Sequence, residues 1–366
     1  MAKPLLLVEA LATRNDSGLG NMARLFVDGL RGLADRAEIL VLAPRNGTYR
    51  PGPHCRVLFA EARPWRAWVE AAFPLLIARH RPAAVLCLGQ SLPYLRPAAR
   101  YAVAVPDAGP LEELGRPASS HDAYNRRWLL RRAPRADRLI AISEFTRNRL
   151  RALLDFPGDR IAVVNPIRPP GLPDLRLPAV PGNHPPGAYF LSLGNVEPRK
   201  NHPGLIAAYA ALAARRPDAP PLYIAGHAAW GRAEAEEAVV VHRLEGRVRF
   251  TGYLSEADRL AYLANCTAYV SGSLYEGWGL PLFEALSLGR PAAYHAGTSQ
   301  EEFAKGMALA VDCRDPQGLS RAMETLWLDE AERRRLGAAL AAGFPRILEY
   351  DLEGALRSAL SPLLSG

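Results

Sequence analysis

Two glutamates eight residues apart, and a pair of adjacent cations, are the residues in this chain best placed by type and spacing to do chemistry. Glu276 and Glu284 lie in Ser273–Leu286, "SLYEGWGLPLFEAL". Between them stand Gly277, Trp278, Gly279 and Pro281. A carboxylate can bind vicinal sugar hydroxyls in bidentate fashion, as in ribose recognition. Pro281 suits the first turn of a helix, where no N–H is needed, and Gly289 can stop that helix. The N–H groups around Gly279, Leu280, Pro281 and Leu282 would then form a helix N-terminus with close-approach glycine, a natural phosphate cradle. The two carboxylates could bracket a ligand whose phosphates lie between them. A plain strand–loop–helix connection with two solvent-facing glutamates accounts for the same residues, and the stretch alone does not decide.

Arg199 and Lys200 stand in "LSLGNVEPRKNHPGLIAAY", just before a helix predicted to start near Asn201-His202-Pro203. A strand ends at Gly194, and Asn195 follows it. Two cations at a helix N-terminus make an anion site, although surface cations at a helix start look the same in sequence. Only Lys3, Lys200 and Lys305 are lysine, so a lysine here is notable. A third stretch, "NDSGLGNMARL", reads as a turn at Asn15-Asp16-Ser17-Gly18 opening a helix. Gly18 and Gly20 could let a phosphate or sugar approach the backbone, but Ala23 stands where a dinucleotide fingerprint has its third glycine. Asp107 follows the strand "YAVAVP" and would lie at its carboxyl end, or cap a turn. The arginine run 125–139, "NRRWLLRRAPRADRL", could meet an anionic membrane face or be a solvated helix face.

These residues need a scaffold, and the hydrophobic pattern supplies one. Short apolar runs at 4–8, 37–43, 83–89, 101–106, 138–143 and 161–165 read as strands, with helical periodicity between them. Residues 166–188 are proline-rich without a period and read as a stiff linker. The alternation restarts with runs at 189–194, 221–226, 248–252, 268–272 and 291–295. Strands alternating with helices predict parallel sheets covered on both faces. The expected fold is α/β, with two doubly wound Rossmann-like domains facing an interdomain cleft. Residues 1–167 form the first domain, 168–187 the linker and 188–347 the second. A helix over about 348–366 packs back onto the first.

The composition agrees. A chain of 366 residues with 49% apolar residues can bury two cores. The net charge of +8 suits an anionic partner. That charge is spread along the chain and no nucleic-acid module appears, so a nucleic-acid partner is not expected. Four single cysteines form no Cys-x-x-Cys pair, and a reduced, cytoplasmic protein is expected. The apolar run at the N-terminus is too short for a signal peptide, and none is long enough to span a membrane.

Together the motifs resemble the retaining GT-B glycosyltransferases of family GT4. "YEGWGLPLFEAL" matches that family's E-x7-E motif, and "LGNVEPRKNHPGLIAAY" its G-x-x-x-P-R-K-N segment. "IAISEFTRNRL", "VVNPI", "YIAGHAAWG" and "VRFTGYLSEADRLAYL" match further along. The resemblance covers nearly the whole chain and is strongest over 186–345. It implies that Glu276 contacts the donor sugar, Glu284 the nucleotide ribose, and Arg199 and Lys200 the diphosphate. Gly279, Leu280, Pro281 and Leu282, with Gly194 and Asn195, would hold phosphate and sugar. Tyr253 and Leu254 would border the base, and Gly18 and Gly20 would abut the sugar or acceptor. Many relatives carry a histidine where this chain has Pro106; Asp107 remains and could orient the acceptor hydroxyl, with His121 as a substitute for the missing ring.

The chain contains no Asp-x-Asp, so no metal site is expected, and no cofactor beyond the nucleotide-diphosphate sugar as co-substrate. The expected activity is retaining hexosyl transfer to a glycan or lipid-linked acceptor in cell-surface polysaccharide synthesis. The "GHAAWG" and "EPRKN" forms favour a GDP-sugar such as GDP-mannose. The expected location is the cytoplasm, with peripheral contact on the inner membrane face. The alternatives are a sucrose- or trehalose-synthase-like transferase with a small acceptor, and an inactive GT-B module that only binds a nucleotide sugar.

Overall fold

The computed structural model describes residues 3–14, 18–61, 63–112, 120–167, 182–228 and 231–365. The turn expected at Asn15-Asp16-Ser17 lies outside the described residues. So does the part of the expected linker over 168–181, and nothing is described of the His121 side chain. The chain divides into two units, Met1–Pro170 with Glu349–Gly366, and Gly171–Leu348.

The first unit is a seven-stranded parallel sheet. Its strands are β1 (Leu5–Glu9), β2 (Glu38–Pro44), β3 (Arg56–Ala60), β4 (Ala84–Cys87), β5 (Arg100–Val105), β6 (Arg138–Ala141) and β7 (Ile161–Val163). They lie in the order β3-β2-β1-β4-β5-β6-β7. The central strands are buried along their length, "LLLVE" and "AVLC" among them, because helices cover both faces of a parallel sheet. The second unit has six parallel strands: β8 (Phe190–Leu193), β9 (Leu222–Ala225), β10 (Val248–Gly252), β11 (Ala268–Val270), β12 (Ala292–His295) and β13 (Leu309–Val311). Their order is β10-β9-β8-β11-β12-β13.

Both sheets therefore follow the doubly wound order in which the third, second and first strands are followed by the fourth, fifth and sixth. In such sheets the winding reverses between the first and fourth strands, and ligands bind beyond the carboxyl ends there. The reversal falls between β1 and β4 in the first unit and between β8 and β11 in the second. Two strands escaped the sequence reading. β3 and β13 are edge strands, short and only partly buried, although each carries a short apolar run, "VLFA" and "LAV".

The last helix, Leu352–Leu364, belongs to the first unit. Leu356 and Leu360 are fully buried. The helix approaches so closely that a Cβ on Gly29 would sit 2.7 Å from Leu356 Cδ1, and one on Gly32 the same 2.7 Å from Glu353 Cβ. Ion pairs from Arg31 to Glu353 at 2.5 Å and from Arg357 to Asp35 at 3.2 Å flank the contact. No helix among the described residues is long and apolar enough to cross a membrane.

Candidate active site

In the second unit, the loops leaving β8 and β11 meet at the winding reversal. The loop after β8 turns through Gly194 and Asn195 into a short helical turn, Pro198–Lys200, and then into the helix His202–Arg215. The loop after β11 runs through Ser271–Gly279 into the helix Leu280–Ser287. Leu274 N–H donates to Arg199 O at 2.9 Å and pins the two loops together.

That juxtaposition gathers Arg199, Lys200 and Glu276 into one cluster. Glu276 is 7% exposed. Lys200 Nζ donates to Glu276 Oε1 at 2.5 Å, and Arg199 Nη1 to Glu276 Oε2 at 3.3 Å. Burial alone would push the Glu276 carboxyl up. The Lys200 charge, its hydrogen bond and the Arg199 charge outweigh it and bring the pKa down to about 2. The carboxylate is therefore fully ionised at neutral pH. Ser299 Oγ donates to Glu276 O at 2.7 Å and fixes the backbone beneath it.

Gly194 is what lets Lys200 reach this place. Its φ of +146° lies outside the range L side chains favour, and a Cβ there would meet Lys200 Cε at 3.0 Å and Nζ at 3.2 Å. Glu197 orients the second cation, with Oε2 accepting from Arg199 Nε at 3.1 Å and Oε1 from Asn195 Nδ2 at 3.3 Å. His202, next to Lys200 at the helix start, is 2% exposed. Burial first and the Lys200 charge second lower its pKa to about 4, so it is neutral at pH 7.

The second carboxylate is set apart. Glu284 lies one turn inside Leu280–Ser287 and pairs with Arg259, which projects from the helix Glu256–Asn265. Gly279 precedes that helix with φ +91°, Pro281 takes its first turn, and Leu282 is buried while Leu280 is half-buried. The first N–H groups of any helix lack intrahelical acceptors, and the helix Leu280–Ser287 begins at the end of the loop that carries Glu276. Tyr253 and Leu254 follow β10. Tyr253 is 48% exposed, and its ring stacks on His227 with centroids 4.5 Å apart and planes 15° from parallel. His227 follows β9, so the carboxyl ends of β8, β9 and β10 carry Asn195, His227 and Tyr253 in turn.

The remaining expected residues belong to the first unit. Gly18 and Gly20 open the helix Gly18–Gly29. Asp107 stands just past β5, where Oδ1 accepts from Gly109 N–H at 2.9 Å, a turn-capping arrangement. The winding reversal of this unit holds a residue that sequence reasoning passed over. Glu9, at the end of β1, is fully buried. Its Oε2 is 2.5 Å from Ser91 Oγ on the loop after β4, and its Oε1 accepts from Leu11 N–H at 2.9 Å. Burial raises its pKa against the opposing hydrogen bonds of Ser91, Leu11, Gly89 and Leu88.

Glu9, His202, Glu197, Arg259 and His227 were all missed. His227 was the most findable, because it directly follows an apolar strand. Nothing local marks Arg259 among the chain's many arginines.

Residues 177–341 match the family model described as "Glycosyl transferases group 1". Over 224 residues the chain is 29% identical to O-antigen chain mannosyltransferase B of Escherichia coli, a match covering 59% of this chain and 57% of that protein. Over 217 residues it is 30% identical to the serotype-specific mannosyltransferase WbdA of Escherichia coli, covering 56% of this chain and 26% of WbdA. These matches span little more than half of one curated relative and about a quarter of the other. In structure the chain is similar to sucrose-phosphate synthase from Thermosynechococcus elongatus, with a TM-score of 0.69 at 18% identity over 99% of this chain and 96% of that one. Two doubly wound parallel sheets and this likeness make the architecture GT-B.

Proposed function

We propose that the protein is a retaining hexosyltransferase that moves mannose from GDP-mannose to a glycan or lipid-linked acceptor in cell-surface polysaccharide synthesis. The observation that carries the reading is the cluster of Arg199, Lys200 and Glu276 at the winding reversal of the second unit. The group 1 glycosyl transferase match over that unit supports the reaction class. The two relatives named as mannosyltransferases support the sugar.

The chemistry follows from charge. Breaking the bond between the anomeric carbon and the diphosphate sends its electron pair to a phosphate oxygen and leaves a cationic sugar. Lys200 and Arg199 receive the growing negative charge of the leaving group, a preorganised electrostatic stabilisation of the kind worth several kcal/mol elsewhere. When the diphosphate takes the two cations, Glu276 turns its oxygens to the sugar hydroxyls beside the reacting carbon. Glu284, held by Arg259, takes the ribose hydroxyls, and the Tyr253–His227 stack borders the base. The acceptor oxygen bonds the anomeric carbon on the face the phosphate leaves, and its proton goes to the departing phosphate oxygen. Arginine and lysine supply the positive charge, so the scheme uses no metal and no enzymic nucleophile.

The test is release of nucleoside diphosphate from a panel of sugar nucleotides with glycan and lipid-linked acceptors. GDP-mannose should turn over, and Glu276→Gln should lower the rate at least about a hundredfold in protein whose far-UV circular dichroism spectrum is still that of the folded parent at the assay temperature. Turnover of UDP-sugars alone would refute the donor. Parental rates in Glu276→Gln would refute the site.

A further inference from the structure

The two loops that hold the Lys200–Glu276 pair meet at a further residue, Cys313, which lies just past β13 and is fully buried. Its thiol donates to Ser271 O at 3.2 Å, on the loop that leads from β11 to Glu276. Its carbonyl accepts from Asn201 Nδ2 at 3.0 Å, and Asn201 directly follows Lys200. Its N–H donates at 3.0 Å to Nδ1 of His295, the last residue of β12. Thr298 Oγ1 donates back to His295 O at 2.9 Å, one residue before the serine that holds Glu276 O. One buried junction thus touches both loops of the ion pair, and His295 anchors it.

Asn201 is closely fitted. Its φ of +50° is left-handed, a region asparagine tolerates better than most residues. Its N–H donates to Pro198 O at 2.9 Å. A Cβ on Gly204 would sit 2.5 Å from its Nδ2 and 2.6 Å from its Oδ1, so the carboxamide lies across that glycine with little room to swing. The bond to Cys313 O therefore fixes the backbone next to Lys200.

A neutral imidazole offers one nitrogen lone pair. Two donors compete for that of His295: Cys313 N–H at Nδ1, and Arg314 Nη1, 3.0 Å from Nε2. The Arg314 side chain is 57% exposed and can turn to water. The Cys313 N–H is buried, and an unpaired buried N–H is costly. The lone pair thus belongs at Nδ1 and the proton at Nε2. Three ionisable groups bear on the ring. Arg314 is one, Asp312 with Oδ1 3.6 Å from Nδ1 is another, and the third is the Cys313 thiol, which burial keeps neutral. Burial first and Arg314 second lower the His295 pKa, with Asp312 and the Val311 carbonyl opposing them, so the ring is neutral at pH 7. Protonation would convert Nδ1 into a donor facing the Cys313 N–H.

We infer that His295 is a positioning residue for the Lys200–Glu276 pair: its neutral ring holds Cys313, and Cys313 holds Asn201 and Ser271 on the two loops. The inference rests on the proposed role of that pair in transfer, but its first two readouts need no sugar.

The first readout is the imidazole nitrogen spectrum of the parent with isotope-labelled histidine at pH 7, the His295 signal being the one lost in His295→Asn. It should show the proton on Nε2 and a bare Nδ1. A proton on Nδ1 would overturn the inference whatever the variants do. The second is hydrogen exchange of peptides covering Asn201–Leu205 and Ser271–Glu276. His295→Leu keeps the bulk of the ring and removes the acceptor, and should lower protection in both peptides about tenfold. His295→Asn places Oδ1 where Nδ1 stands and should restore most of it. Equal protection in the Leu and Asn variants would assign His295 to packing alone and overturn the inference. Sugar-nucleotide turnover should fall in His295→Leu and recover in His295→Asn. A parent that turns over no sugar nucleotide would refute the transfer reading while the spectrum and the exchange still decide the role of His295.

Discussion

Lys200→Met probes the Glu276 cluster most directly. The substitution keeps the length of the apolar stem and removes the ammonium 2.5 Å from Glu276 Oε1. Both side chains are 10% exposed, so solvent screens little of the change. In the parent the folded pKa of Glu276 is about 2 against an ordinary 4.5. At 1.36 kcal/mol per unit this is about 3 kcal/mol of stability at neutral pH. The sign is that of a depressed acid: the contribution is present above about pH 4.5 and fades as pH falls towards 2. Removing one partner of a buried pair costs about 3–5 kcal/mol. Arg199 remains 3.3 Å from the same carboxylate, so the lower end is expected, about 3 kcal/mol at pH 7.

Because the chain has two units, the readout must be local. Hydrogen exchange of peptides covering Gly272–Gln300 reports the opening free energy where the pair sits. The gap between parent and variant should be about 3 kcal/mol at pH 7 and shrink below about 1 kcal/mol near pH 2.5. Adding Glu276→Gln to Lys200→Met removes the stranded charge and should recover more than half of the loss. A gap independent of pH would refute the assignment of this energy to the ion pair. So would a double variant as unstable as the single one.

Two further outcomes follow from the same geometry. Arg259→Met frees the carboxylate of Glu284 from its partner helix, and on the proposed ribose role it should raise the donor KM about tenfold, roughly 1.4 kcal/mol, with kcat little changed and Arg259→Lys partly restoring it; a fall in kcat at constant KM would contradict that role. Burial raises the folded pKa of Glu9, so the parent loses stability as pH rises above about 4.5, whereas Glu9→Gln cannot ionise. Urea melts from pH 4.5 to 8 should show the Gln variant gaining on the parent with rising pH, and parallel curves would refute the buried acid.

The α/β class was legible in the sequence because its signals are local. A buried strand needs a short apolar run, a helix an apolar period of 3.6, and a turn its glycine or proline. β3 and β13 escaped that reading although each carries an apolar run, because a run as short as "VLFA" or "LAV" does not by itself separate a strand from other buried chain. Arg199, Lys200 and Glu276 could each be singled out by their place beyond a strand and before a helix.

Their contact could not. Lys200 and Glu276 are 76 residues apart, and they meet only because β8 lies beside β11 while β9 and β10 fall on its other side. Glu9 and Ser91, 82 residues apart, meet for the same reason at the reversal between β1 and β4. In sequence, Glu9 is merely the polar end of an apolar run, and Arg259 is one arginine among many. By itself the sequence determined the elements and their alternation, through short-range sterics and periodicity. Strand order, helix packing and burial decided which charges share a site and which of them ionise, because those energies depend on neighbours that the chain brings together only when it folds.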